Sequence, residues 1–254
     1  MMNFLHQLRK EILEHWRTHK LLIVSAVLVL FGLTSPLLAR FTPEILSAVP
    51  GVPEGLAGII PEATVNDAVI QYIKNMSQFG ILLAILMTMG TVAGEKNRGT
   101  AAMILTRPVS RGTFLMAKFA ALRFTFFVGL TLAALGCWYY TWLLFEPLPW
   151  LAFLAMNALM FLNFMVYVSM TLLCSTLFRS QTAAAGLAFG GMIVLAILGV
   201  FPQIAKYLPG RLFDWGMGLV LETGHPAWPA FWSSLGLIAI FSLMAWLVLR
   251  RQEI

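Results

Sequence analysis

Gly94-Glu95-Lys96-Asn97-Arg98-Gly99-Thr100-Ala101-Ala102-Met103-Ile104-Leu105-Thr106-Arg107-Pro108-Val109-Ser110-Arg111 interrupts the apolar middle of a 254-residue chain, and the charged stretch closes at Lys118. Glu95, Lys96, Arg98, Arg107, Arg111 and Lys118 must meet water or a polar partner, because an isolated charge in hydrocarbon is costly. Between the charges, Ala101 to Thr106 has the length and composition of a short helix lying along a membrane surface. Pro108 ends it, since proline lacks an amide proton and restricts the residue before it. Such a helix between two spanning helices offers a docking surface to something outside the membrane.

The surroundings of this stretch are apolar. Hydrophobic residues make up 59% of the chain and charged residues 11%, against about 25% charged in an ordinary soluble domain. Most of the protein therefore meets lipid or other apolar helices. Cys137 and Cys174 both lie in apolar runs without a CxxC pairing and read as small buried hydrophobes. The net charge of +6 is explained by its location, so no nucleic-acid partner is implied.

Working outward, the expected fold is an all-α integral membrane protein forming a single transmembrane domain over 1–254. Its spans are expected at about 21–39, 76–93, 119–145, 150–178, 183–201 and 231–249. Residues 1–20 form an interfacial amphipathic helix, with Phe4, Leu5, Leu8, Ile12 and Trp16 on one face and Arg9, Lys10, Glu14 and Arg17 elsewhere. The first span follows too extended a charged prefix to be a signal peptide and is expected to be retained. Residues 41–75 read as a proline-punctuated loop. The strongly apolar core of the second span starts only at Phe79, so that helix is expected to begin earlier, with Ser77 and Gln78 against protein or water. Arg123 lies one turn inside the third span and can snorkel to the headgroups. In the fifth span Ala184, Gly186, Ala188 and Gly190 form a small-residue line that lets another helix approach closely.

Basic residues set the orientation. With the N-terminus inside, only Arg40, Lys74, Lys206 and Arg211 of the 17 Lys and Arg residues fall outside. By the positive-inside rule both termini and the 94–118 segment are cytoplasmic, in a multi-pass protein of the cell membrane.

Several chemistries are excluded by what the motifs lack. Gly94-x-x-x-x-Gly99 has phosphate-loop glycine spacing, but Thr100-Ala101 stand where Lys and Ser/Thr are needed, and a span precedes it in place of a strand. No catalytic residues are assigned, since the span interiors lack acids and no GxSG elbow occurs. No metal site is assigned: His15 and His19 are four apart but read as surface histidines without further ligands. Asn157 and Asn163 in the fourth span are candidates for a pathway lining, with interhelical hydrogen bonding as the simpler role.

Gly-Glu-Lys-x-Arg-Gly-Thr from Gly94, then an apolar segment, Arg107-Pro108-Val109-Ser110-Arg111 and Lys118, closely resembles the signature between spans two and three of type-2 ABC exporter permeases. The layout matches as well, in the N-terminal helix, six spans and an outer hairpin region between spans five and six. The resemblance implies that Glu95, Lys96, Arg98, Gly99, Thr100, Met103, Ile104, Arg107, Pro108, Val109, Ser110 and Arg111 form an element coupling the chain to cytoplasmic ATPase subunits. Glu95 and Arg98 would brace the coupling helix, and 101–106 would supply its docking face. It further implies a second permease copy or a similar chain, with ATP and Mg on the partner ATPase and no cofactor in this chain. The alternative is a membrane scaffold that docks an ATPase without moving a substrate.

Overall fold

The computed structural model describes residues 4–47, 63–99 and 110–252, which form helices joined by turns. In chain order these are α1 (Phe4–Arg17), α2 (Lys20–Ser47), α3 (Val65–Asn75), a π-helical turn (Met76–Gly80), α4 (Ile81–Thr88), α5 (Ala93–Asn97) and α6 (Arg111–Leu144). They continue as α7 (Trp150–Leu177), α8 (Gln181–Leu198), α9 (Pro202–Ala205), α10 (Arg211–Val220) and α11 (Trp228–Arg251). Among the described residues, six stretches are long and apolar enough to cross a membrane: Lys20–Thr42, Val65–Asn97, Arg111–Leu144, Trp150–Leu177, Gln181–Leu198 and Trp228–Arg251. The protein is an all-α integral membrane protein.

The helices reach further than hydropathy alone marks. Instead of stopping at residue 39, α2 runs through Pro36 and Pro43 to Ser47. The second span draws on residues assigned to the preceding loop: α3 leads through the π-helical turn into α4. A capping box between Thr64 and Asp67 starts α3, with the Thr64 amide 2.8 Å from Asp67 Oδ2. The helix that carries the third span begins at Arg111, because Ser110 caps it by accepting from the Thr113 amide at 3.1 Å. At 34 residues, α6 is about 50 Å long, well beyond the roughly 30 Å hydrocarbon core. Its first turns therefore extend past the apolar layer.

Packing centres on α6 and α7. Small residues bring α2 and α6 together: a side chain at Gly32 would stand 2.4 Å from the Ala133 carbonyl oxygen, and one at Gly136 2.8 Å from Leu33. The α7 helix is buried most completely, with Phe164 between Gly80 of the π-helical turn and the rings of Phe126 and Phe213. Polar side chains tie α3 into this core, where Tyr72 donates to Asn157 at 2.8 Å and Asn75 donates to Ser35 at 2.9 Å. By contrast α8 and α11 keep much of their apolar surface outward.

The α2–α6 contact yields the first expected outcome. Gly32→Leu has no room and should separate the two helices, lowering the thermal midpoint of the detergent-solubilised protein by fluorescence-detected size exclusion. Gly236→Ala on α11, where nothing lies within 4 Å of the added carbon, should leave that midpoint unchanged or slightly raised.

Candidate functional site

One end of the molecule gathers the start of α6, the ends of α7 and α11, the start of α8, all of α5, and α1. Lys118 is at its centre. The side chain occupies the fifth position of Phe114-Leu115-Met116-Ala117-Lys118, a run otherwise apolar, and it is 1% exposed. Its Nζ donates to Glu11 Oε2 of α1 at 2.9 Å and to Glu95 Oε1 of α5 at 2.7 Å, and it also stands 4.9 Å from the Phe114 ring centre. Glu11 and Glu95 are themselves buried, at 1% and 5% exposure. Glu14 lies close enough that its carboxylate and those of Glu11 and Glu95 come within 4.8 Å of one another. Lys10, 3.7 Å from Glu11, and Lys20 bring further positive charge to the same cluster. Three carboxylates are thus matched by three ammonium groups.

The docking of α1 follows from this cluster. Gln7, Glu11 and His15 recur every fourth residue and form the buried line of the helix. Gln7 donates to Glu11 at 3.3 Å, and His15 Nδ1 lies 2.9 Å from Thr125 Oγ1 of α6. Of the apolar side chains expected to dip into the interface, Phe4, Leu5 and Trp16 are exposed, Leu5 at 70% and Trp16 at 69%, while Leu8 and Ile12 are half-buried. His15 is therefore not a surface histidine. Burial, with help from Lys20 and Lys118, lowers its pKa from the usual 6.5 to about 4, against a weaker opposing effect of Glu14. His19 is exposed; its left-handed backbone, φ 60°, ends α1 and redirects the chain into α2.

A second set of contacts fixes α5. Ser175 of α7 accepts from the Val92 and Ala93 amides at 3.0 and 2.9 Å and donates to the Met89 carbonyl at 2.7 Å. These bonds satisfy the backbone where α4 stops and α5 starts in a new direction. Gly90 and Gly94 leave space for the Gln181 side chain at the start of α8. Lys96 donates to the Thr176 carbonyl and to Gln252, and the Gln252 amide donates to the same carbonyl at 3.1 Å. Arg111 stands 2.8, 2.7 and 2.8 Å from the carbonyls of Leu249, Arg250 and Gln252, serving the orphan acceptors at the end of α11.

The residues singled out from sequence divide accordingly. Glu95, Lys96 and Arg111 turn inward to other helices of this chain, while Asn97 and Arg98 stay exposed and Gly99 adopts φ 69°. Ser110 is a helix cap. Thr100, Met103, Ile104, Arg107, Pro108 and Val109, with the short helix expected over 101–106, lie outside the described residues. On α8, Ala184 and Ala188 are buried against Ile85, Ala93 and Cys174 of the same chain, whereas a Cβ added at Gly186 or Gly190 would meet nothing within 4 Å among the described residues. The four small residues therefore do not share one face. Asn157 accepts from Tyr72 and donates to the Phe153 carbonyl at 2.9 Å, and Asn163 donates to the Pro209 carbonyl at 2.8 Å, so both cross-link the interior. Cys137 and Cys174 are free and buried. Glu11 and Thr125 escaped the sequence reading, although the Gln7–Glu11–His15 spacing was visible there.

Six apolar spans and a polar end define a polytopic helical membrane protein whose N-terminal helix is tied through Lys118 to α5 and α6. The family model for "ABC-2 family transporter protein" matches residues 6–254, and the chain belongs to that family. It is also 31% identical over 209 residues to the uncharacterized transmembrane protein YxlG of Bacillus subtilis (strain 168), covering 81% of this chain and 80% of that one. The protein is thus a membrane permease component of an ABC transporter.

Two outcomes are expected of this cluster. Lys118→Met leaves two buried carboxylates facing each other and should cost about 3–5 kcal/mol of stability. Adding Glu11→Gln and Glu95→Gln to it should restore much of the thermal midpoint. Lowering the pH should weaken α1 docking between about 6.5 and 4, where the undocked His15 takes up a proton and the docked one, facing Lys20, Lys118, Glu11, Glu14 and Glu95, does not. Hydrogen exchange of residues 4–17, corrected for intrinsic rates, should show this loss in the wild type and a smaller one in His15→Gln.

Proposed function

We propose that this chain forms half of the translocation pathway of an ATP-driven exporter, working with a second copy or a similar chain and with two separate cytoplasmic ATPase subunits. The observation that carries this reading is the Glu11–Lys118–Glu95 bridge. It joins the root of the 100–109 segment to α1 and to the third span, so a force applied at that segment reaches both. ATP-driven closure of the ATPase subunits would supply the force, and it changes the state of the spans only through contacts that differ between those states. Glu95 acts here as an internal brace, and the docking face belongs to 101–106.

The distribution of basic residues supports cytoplasmic placement of both termini and of the polar end. The partner permease is proposed to approach α8 on the face of Gly186 and Gly190, which the described residues leave open. Gly190→Leu should then reduce crosslinking between copies and leave the monomer folded.

Four measurements test the proposal. Asn97→Cys should resist an impermeant thiol reagent in sealed cells and react after permeabilisation; strong labelling from outside reverses the orientation. Met103→Asp should insert and fold normally but lose co-purification with the ATPase and ATP-dependent transport in proteoliposomes. Glu95→Ala should lose coupling as well as some stability, and wild-type behaviour of both variants would remove the coupling role. Substrate-stimulated ATP turnover separates the exporter from the scaffold.

A further inference from the structure

We propose that the groove between α6 and α7 binds an anionic glycerophospholipid, its acyl chain along the two helices and its phosphate on Arg123. The groove has a volume of about 480 Å³, within the range of small-molecule pockets. Its walls are Phe127, Leu130 and Ala134 of α6 and Phe153, Leu154 and Phe161 of α7. Asn157 also lines it, but both ends of that amide are engaged by Tyr72 and the Phe153 carbonyl. Apart from Thr131, the wall is thus apolar in function, suited to a hydrocarbon chain.

Charge at one end selects the headgroup. Arg123 projects from a different face of α6 than Lys118, since five residues turn a helix by about 140°. It is exposed and lines the groove, and among the described residues its contact is the Phe119 ring, 5.9 Å away. Lys118 has two carboxylates within 3 Å, whereas no described acid pairs with Arg123, so among the described residues the groove ends in a guanidinium without a counter-ion. The length fits as well. From Arg123 to Leu135, where the groove runs out beside Trp150, α6 rises about 18 Å, slightly more than half of the roughly 30 Å hydrocarbon core. A cation at the headgroup level and an apolar channel one leaflet deep call for an anion and an acyl chain in one molecule. With the orientation proposed above, that lipid belongs to the inner leaflet, although the binding itself does not depend on orientation or on transport.

The test is native mass spectrometry of the full chain in detergent with equimolar phosphatidylglycerol and phosphatidylcholine of identical acyl chains. The wild type should retain phosphatidylglycerol preferentially. Arg123→Gln should reduce that preference about fivefold, the ratio that roughly 1 kcal/mol for one basic residue at an anionic surface represents. Arg123→Lys should keep most of it. Ala158→Trp, at an exposed position lining the groove, should displace both lipids without lowering the thermal midpoint. Equal retention of the two lipids by the wild type, or an unchanged preference in Arg123→Gln, overturns the proposal. So does efficient disulfide crosslinking between copies through Ala158→Cys, which would assign the groove to a second chain.

Discussion

Lys118 carries its charge where almost no water reaches it, and the arrangement of one end of the molecule follows from that constraint. An ammonium group there requires counter-ions, and the two it has come from opposite directions in sequence: Glu11 from the N-terminal helix and Glu95 from the short helix after the second span. Replacing such an arrangement by apolar side chains often costs little, whereas removing one partner costs a great deal. The bridge is therefore better understood as fixing which helices meet, and at what register, than as a source of net stability.

The consequence for transport is mechanical. The 100–109 segment is flanked by α5 and α6. Around its roots, Ser175 fixes the turn into α5, Lys96 and Gln252 hold the ends of α7 and α11 together, and Arg111 holds the end of α11 against the start of α6. Little of this polar end can move alone. In a permease of the ABC-2 family, a displacement imposed there would pass into α1 and the third span together. Farther along the same helix, α2 and α6 touch through glycine and alanine with little intervening side chain, so the displacement would reach the first span as well.

Much of the fold was legible in the sequence because hydrocarbon thickness demands long apolar runs, and those runs are unmistakable. The ends of the helices were harder to read. Ser110 caps α6 well before hydropathy rises, and α2 continues past Pro36 because its neighbours hold it. The interior roles were hidden for a different reason. Glu11 and Lys118 are far apart in the chain, and no periodicity links them. Two local signals did point to them, a line of polar residues four apart on an amphipathic helix and a lysine enclosed by phenylalanine, leucine and alanine. On α8, composition alone does not say which small residues face their own chain: Ala184 and Ala188 do, and Gly186 and Gly190 lie on another side.

The dependence of α1 and α5 on one shared cation can be measured by a double-mutant cycle between Glu11→Gln and Glu95→Gln, read as unfolding free energy in detergent. With Lys118 present, the double variant should lose more than the sum of the single losses, because only then does the buried ammonium lose both carboxylates bonded to it. In a Lys118→Met background the same two substitutions should become stabilising. Additivity within about 0.3–0.5 kcal/mol in both backgrounds, the behaviour of independent sites, would contradict the bridge.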